Sequence, residues 1–308
     1  MTAAIAMRGD AAAVLAGYGA DLLLGDPRRL HPVAGFGTVA DRLERTIHRP
    51  SRTVGAAYTL ILVGAAALLG RAGRGKPLPL AVALSVALGG RSLAREARRV
   101  GDLVGRGDIA GARAAVPALV GRDPSQLDGS ELCRAAVESV AENTVDAVVA
   151  PLMWAAVAGA PGVLAYRAAN TLDAMVGHRS ERHARFGWAS ARLDDAMNWP
   201  AARLTAVAAA GLSPLVGGSP STAWGIVRRD GARHPSPNGG RAEAAFAGAL
   251  GVRLGGTNVY AARVEHRPHL GDGGPAKPAD VDRAARLSVA IGAAAALAAA
   301  VARKSVRR

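Results

Sequence analysis

Uncharged apolar runs recur along the chain and alternate with polar stretches dense in charge. The run 53–70, TVGAAYTLILVGAAALLG, lies between Arg52 and Arg71 and approaches the ~20 residues a bilayer-spanning helix needs. The shorter run 78–90 follows a Pro-containing turn, so 53–90 predicts a helical hairpin. Runs 147–166 and 204–227 carry no charge, and 287–302 lies between Arg286 and Arg303. A further run, 11–25, contains Asp21.

Two runs are interrupted. Pro151 and Gly159-Ala160-Pro161-Gly162 fall inside the first; Ser213-Pro214 and Gly217-Gly218-Ser219-Pro220 fall inside the second. Proline removes a backbone donor and glycine loosens the helix, so each run is expected to break or re-enter instead of crossing cleanly. The expected fold is all-α: a polytopic membrane helical bundle, one embedded domain over 1–308, with polar helical stretches at 91–146, 167–203 and 228–286. Every loop is basic, so charge asymmetry does not orient the bundle.

Composition agrees with a bilayer. Half the residues are hydrophobic, mean hydropathy is +0.16, and Leu, Val and Ala supply most of the apolar runs, which are rich in Ala and contain Gly. Small side chains let helices approach closely in lipid. The net charge of +14 comes almost wholly from Arg and is spread through all the loops. With no basic helix and no interleaved aromatics, it points to anionic headgroups and a phosphate-bearing substrate, not to nucleic acid. The single Cys133 excludes an intrachain disulfide and a Cys-based zinc site.

The polar stretches carry the chemistry. In 131–150, Glu138, Glu142 and Asp146 recur at i, i+4 and i+8, lining one face of a helix where like charges repel. Such a row running into an apolar segment calls for a cation, and Mg²⁺ takes carboxylate oxygens together with substrate phosphates. Asn143 places an amide beside the row. In 166–203, Asn170 and Asp173 lie one turn apart, and Arg167, Arg179, Arg182, Arg192, Asp194 and Asp195 crowd the same stretch. Arg holds phosphate or carboxylate bidentately, whereas Asp and Asn hold metal. In 234–260, Pro-Ser-Pro-Asn238-Gly-Gly feeds an apolar helix, an arrangement that offers backbone N–H groups to an anion. No P-loop, nucleophile elbow, zinc-protease or dinucleotide signature is present.

Taken in order, GDPRRLHPV (25–33), ESVAENTVDAVVAPL (138–152), YRAANTLDAMVGHRSERHARFGWASARLDDAMNWPAARLTA (166–206) and RRDGARHPSPNGGRAEAAFAGALGVRLGG (228–256) resemble the CobD/CbiB family of cobalamin biosynthesis proteins. The resemblance covers most of the chain. It implies a multi-pass protein of the inner cell membrane, acting on the corrinoid adenosylcobyric acid and associating with other cobalamin-assembly enzymes. The implied reaction is ATP-dependent amide formation with (R)-1-amino-2-propanol or its O-phosphate, with Mg²⁺ as cofactor. On that basis Glu138, Glu142, Asp146 and Asp173 are expected to bind metal, and Glu142, Asp194 and Asp195 to be catalytic. Asn143, Arg167, Asn170, Arg179, Arg182, Arg192 and Asn238 are expected to bind substrate or phosphate. Two other readings of the same residues are a Mg²⁺-dependent membrane prenyltransferase and a transporter with intramembrane carboxylates.

Overall fold

The computed structural model describes residues 2–26, 31–73, 75–178, 180–260 and 263–305. Twelve α-helices and one β-hairpin make up the described chain, which gathers into two compact units, each built from separated segments. Four helical runs among the described residues are long and apolar enough to cross a membrane: Arg52–Ala72, Pro77–Gly105, Gly129–Gly177 and Pro278–Ser305. The protein is a multi-pass helical membrane protein.

The first unit comprises Met1–Gly89, Asp146–Asn198 and Ala295–Arg308. It contains α1 (Thr2–Leu24), α2 (Pro32–Ile47), α3 (Arg52–Ala72) and α4 (Pro77–Ala87), with α8 (Ala150–Leu172) and the start of α9 (Trp188–Leu212). Helix α3 packs along α8, and α1 along α4. Glycine makes both approaches possible. A Cβ on Gly70 would fall 2.6 Å from the Pro161 nitrogen, and one on Gly17 would fall 2.6 Å from the Leu84 Cβ. The outward side of α3 is apolar: Leu60, Leu68 and Leu69 are 74%, 68% and 71% exposed. Water would penalise such a surface, whereas acyl chains solvate it. Its inner side meets a core of Ala40, Tyr58, Leu62, Leu172, Val176 and Phe186.

Helix α8 is broken, as the sequence predicts. Gly159 has φ 66° and ψ −152°, and Pro161 follows it inside the helix. A π-helical turn stands at each end, Val145–Val149 before it and Asp173–Gly177 after it. Such turns insert a residue into the helix and re-aim its side chains. Each contains one of the expected site acids, Asp146 or Asp173.

The second unit comprises Gly90–Val145 and Trp199–Ala294. Here α5 (Gly90–Gly105) packs on α7 (Gly129–Thr144), with α6 (Ile109–Ala115) alongside. A capping box opens α7, pairing Asp128 with Glu131. The run 204–227 divides where the sequence predicts: α9 ends at Leu212, a short 3₁₀ turn covers Ser213–Val216, and Gly217 is left-handed at φ 77°. Then α10 (Pro220–Asp230) begins, followed by α11 (Gly239–Leu250), which packs on both α10 and α7. The first half of α12 (Pro278–Ser305) completes this unit.

The β-hairpin departs from the all-helical expectation for 228–286. Strands β1 (Leu254–Tyr260) and β2 (Arg263–Leu270) pair antiparallel, with a bulge between Leu254 and Gly256. Gly255 and Gly256 take φ of 83° and 96°, which helix does not allow. β-formers then follow in Thr257, Val259 and Val264. Gly251, left-handed at φ 69°, ends α11, and the second Gly-Gly opens the hairpin.

Candidate functional site

Two groups of acids stand out, one in each unit. The first lies where α8 passes through its π turn toward α9. Asp194 is 8% exposed, and no arginine, lysine or histidine among the described residues forms an ion pair with it. Amides hold it instead: Asn170 Nδ2 donates to Oδ1 at 3.2 Å and Asn198 Nδ2 to Oδ2 at 3.0 Å. Each amide is oriented from behind. Arg167 donates to Asn170 Oδ1 at 3.2 Å. The Tyr166 hydroxyl lies 2.9 Å from both Asn198 Oδ1 and the Asp146 carbonyl and shares its one hydrogen between them. With both amide oxygens serving as acceptors, both amide nitrogens must point at Asp194.

Asp173 and Asp195 join this group, since the Asp173 carboxylate feels the charges of Asp194 and Asp195. Gly177 makes room for it, because a side chain there would strike the Asp173 carboxylate. Burial pushes the Asp194 carboxyl above the usual carboxylate range; the two amide hydrogen bonds offset part of this, and the charge of Asp195 adds to it. Burial also raises Asp195, against the opposing charge of exposed Arg192. Acids held this way bind cations or accept protons, and their all-oxygen donor set suits Mg²⁺ or an ammonium group.

In the second unit the acid row on α7 divides. Glu138 is caged: Arg122 and Arg134 pair with it, and the Gly255 N–H donates to it at 2.8 Å. Arg122 and Arg134 also hold Asn258 of β1, so the cage fastens the hairpin to α7. One turn on, Glu142 is partly open to solvent, and one of its oxygens, a ring nitrogen of His234 and an oxygen of Glu243 lie within 4.8 Å of one another. Glu243 is fully buried, and neither of its oxygens has a hydrogen-bond partner among the described residues. Burial raises its carboxyl well above the usual range, and the charges of Glu142 and Glu138 add to that. His234 is held below its ordinary value by burial and then by Arg267.

The imidazole of His234 is a donor here, not a metal ligand. Its Nδ1 accepts from the Ser236 N–H at 3.1 Å, so the neutral ring carries its proton on Nε2, 3.5 Å from Glu243 Oε1. What remains for a cation is the carboxylate pair Glu142 and Glu243, an oxygen donor set that fits Mg²⁺. Nearby, Arg203 donates to Asn238 Oδ1 at 3.2 Å, and its guanidinium is depressed by burial and then by the charge of Arg241.

The remaining expected residues fall elsewhere. Asn143 turns back to its own helix, donating to the Ser139 carbonyl at 3.0 Å. Arg182 pairs with Glu44, as does His183 Nε2 at 3.0 Å. Burial would raise Glu44, but these hydrogen bonds overcome it and leave the carboxyl below its usual range. Arg182 is thereby committed to fastening the loop before α9 onto α2. Arg179 lies outside the described residues. Sequence reasoning left Tyr166, Asn198, Arg203, His234, Arg241 and Glu243 out of the site. A readable signal existed for Glu243, the one acid in the otherwise apolar 242–250.

Such a protein belongs to a recognisable class: multi-pass membrane proteins that bury carboxylates among polar side chains between apolar helices, a costly placement that marks functional positions. The description "CobD/Cbib protein" matches residues 14–288, and the chain belongs to the CobD/CbiB family, whose members act in cobalamin biosynthesis. It is 54% identical over 293 residues to the cobalamin biosynthesis protein CobD of Mycobacterium tuberculosis, covering 93% of this chain and 94% of the relative. The CobD proteins of Geobacter metallireducens and Rhizobium meliloti are 48% and 42% identical, covering 87% of this chain in both cases and 88% and 89% of those relatives. No solved structure matches. The protein is thus a cobalamin biosynthesis enzyme embedded in a membrane.

Proposed function

We propose that this enzyme forms an amide between the free carboxylate of adenosylcobyric acid and the amine of (R)-1-amino-2-propanol or its O-phosphate, using ATP, at the inner cell membrane. The observation that carries the reading, within a family of cobalamin enzymes, is the amide-held Asp194 beside Asp173 and Asp195. A carboxylate does not condense with an amine at neutral pH. Passing the terminal phosphoryl group of ATP to a carboxylate oxygen releases ADP and leaves an acyl phosphate. The amine nitrogen then attacks the acyl carbon, and phosphate departs with that oxygen.

The amine arrives as an ammonium ion and must lose a proton before it can attack. Asp173 and Asp195 attract the cation, and Asp194 takes the proton. A carboxyl raised above its ordinary range is a stronger base and so better matched to that task. Asn170 and Asn198 fix the acceptor's direction, while Arg167 and Tyr166 fix theirs. Mg²⁺, when bound, neutralises phosphate charge during transfer.

The test is direct. Protein purified in detergent is given adenosylcobyric acid, ATP, Mg²⁺ and either aminopropanol or its phosphate, and corrinoid products are resolved by mass spectrometry. One amide per ATP hydrolysed is expected. An intact, corrinoid-binding protein that makes no amide with either amine overturns the reading.

A further inference from the structure

The proposed reaction requires a nucleotide, yet the chain has no P-loop. The second unit contains a place built for one. Residues 234–241, HPSPNGGR, lead into α11, and Ser236 Oγ accepts from the Gly239 N–H at 3.0 Å, turning the chain tightly into the helix. The positive end of the α11 dipole opens at this turn.

Two guanidinium groups stand beside it. Arg203 reaches Asn238, the residue that precedes α11, and stacks on Trp199 with its central carbon 4.0 Å from the ring centre. Arg241 lies in the first helical turn, close enough for the two charges to repel, and its side chain forms no hydrogen bond or ion pair among the described residues. Like charges gathered at a helix N-terminus are a standing demand for an anion.

On the same turn the opposite demand appears. Glu142 lies against Gly239, where a Cβ would be 2.9 Å from its Oε1, and Glu243 follows Gly239 by one turn. Glu243 is fully buried with neither oxygen hydrogen-bonded among the described residues, and His234 Nε2, also without a hydrogen-bond partner among them, stands 3.5 Å from its Oε1. Arg267 does not settle the account. It stands 3.9 Å from Glu243, 4.0 Å from Glu142 and 3.4 Å from Glu265, one positive charge among three carboxylates. A bare phosphate would be repelled by Glu142, and a bare metal by Arg203 and Arg241. A metal–phosphate pair meets both halves at once.

We infer that the turn 236–241 binds the phosphates of a nucleoside triphosphate, with Arg203 and Arg241 on the phosphate oxygens and Glu142 and Glu243 on the divalent cation that bridges them. His234 is a positioning residue, its Nε2 standing 3.5 Å from Glu243 Oε1. This deepens the ATP-dependent reading above and rests on it for the choice of nucleotide. The site differs from a P-loop in one measurable respect: binding depends strongly on the metal, because without it the acid side of the turn, Glu142 foremost, faces the phosphates.

The test uses full-length protein in detergent and the fluorescent nucleotide mant-ATP, titrated with Mg²⁺ and again in EDTA. Binding is expected with Mg²⁺ and to weaken at least tenfold in EDTA. Arg241→Ala and Glu142→Gln, both at partly open positions, are expected to weaken Mg²⁺-dependent binding at least tenfold, whereas Asp194→Asn binds as the wild type does. His234→Gln should raise the Mg²⁺ concentration needed while leaving saturated binding intact. No binding by wild-type protein, equal binding in EDTA, or wild-type affinity in both Arg241→Ala and Glu142→Gln would overturn the site. Amide synthesis persisting while those variants bind normally overturns this site and spares the reaction. Metal-dependent binding lost in those variants, without amide synthesis by the wild type, does the reverse.

Discussion

Glu138 and Asp194 are both acids almost removed from solvent, yet their surroundings differ in one respect. Arg122 and Arg134 neutralise Glu138, and the trio ties β1 to α7. Asp194 is also hydrogen-bonded at both oxygens, but by two neutral amides. The first arrangement cancels charge and leaves nothing to react. The second directs a carboxylate without cancelling it, so an incoming cation or proton finds its charge still available. Counting acids near an apolar segment ranks the two alike; the identity of their partners separates structure from chemistry.

That distinction breaks most visibly by neutralising each acid. Asp194→Asn should cut amide synthesis by about 10²–10⁴-fold, the range for removing a general base, while elution in gel filtration stays that of the wild type. Near-wild-type turnover in this variant would make Asp194 another structural acid. Glu138→Gln should do the opposite. It strands two arginines, 3% and 11% exposed at their side chains, and breaking such a pair costs about 3–5 kcal/mol. A lower melting temperature and yield are expected, with turnover per folded molecule retained; unchanged stability would dissolve the cage. A smaller effect tests the relay. Tyr166→Phe removes a single donor behind Asn198, worth about 0.5–1.5 kcal/mol, so turnover should fall roughly three- to tenfold. A fall in kcat at constant KM is what misdirecting the base predicts.

The sequence is most informative where chemistry and local grammar coincide. Uncharged runs at 53–70 and 287–302 become α3 and part of α12, and the Gly/Pro clusters near 159 and 217 become breaks in the helices. Both follow from local rules: apolar length for the spans, and an absent donor or positive φ for the breaks. Asn170, Asp173, Asp194 and Asp195 were legible as a group because they crowd one polar stretch. The role of Glu138 was not, since its cage needs Arg122 and the Gly255 N–H, which is 117 residues away along the chain. Spacing of i and i+4 says which acids share a helix face but not what other elements bring to it. Glu243 and His234 meet Glu142 by the same non-local route, and the hairpin that carries Arg267 reads as a helix followed by a turn until the bulge at Gly255 is seen.

The smallest expected effect reads the comparison through pH. The Asp194 carboxyl is raised by burial, so it favours the protonated state when folded more than when unfolded. Its contribution to stability is therefore fully present below its unfolded value, near 3.9, and lost as pH rises through the folded value. Asp230 offers the opposite sign. Hydrogen bonds from Arg229, against an opposing contribution from burial, with the Gly271 N–H and Arg233 adding to them, hold it at about 2. Its contribution is present above the unfolded value and lost as pH falls toward 2. The melting temperature of Asp194→Asn relative to wild type should thus climb as pH rises above the unfolded carboxylate value and level off once the folded Asp194 is ionised. That of Asp230→Asn should stay below wild type through this window, with the gap closing only under stronger acid. Parallel curves for the two variants would mean that burial, not the choice between arginine and amide partners, governs how this protein holds its acids.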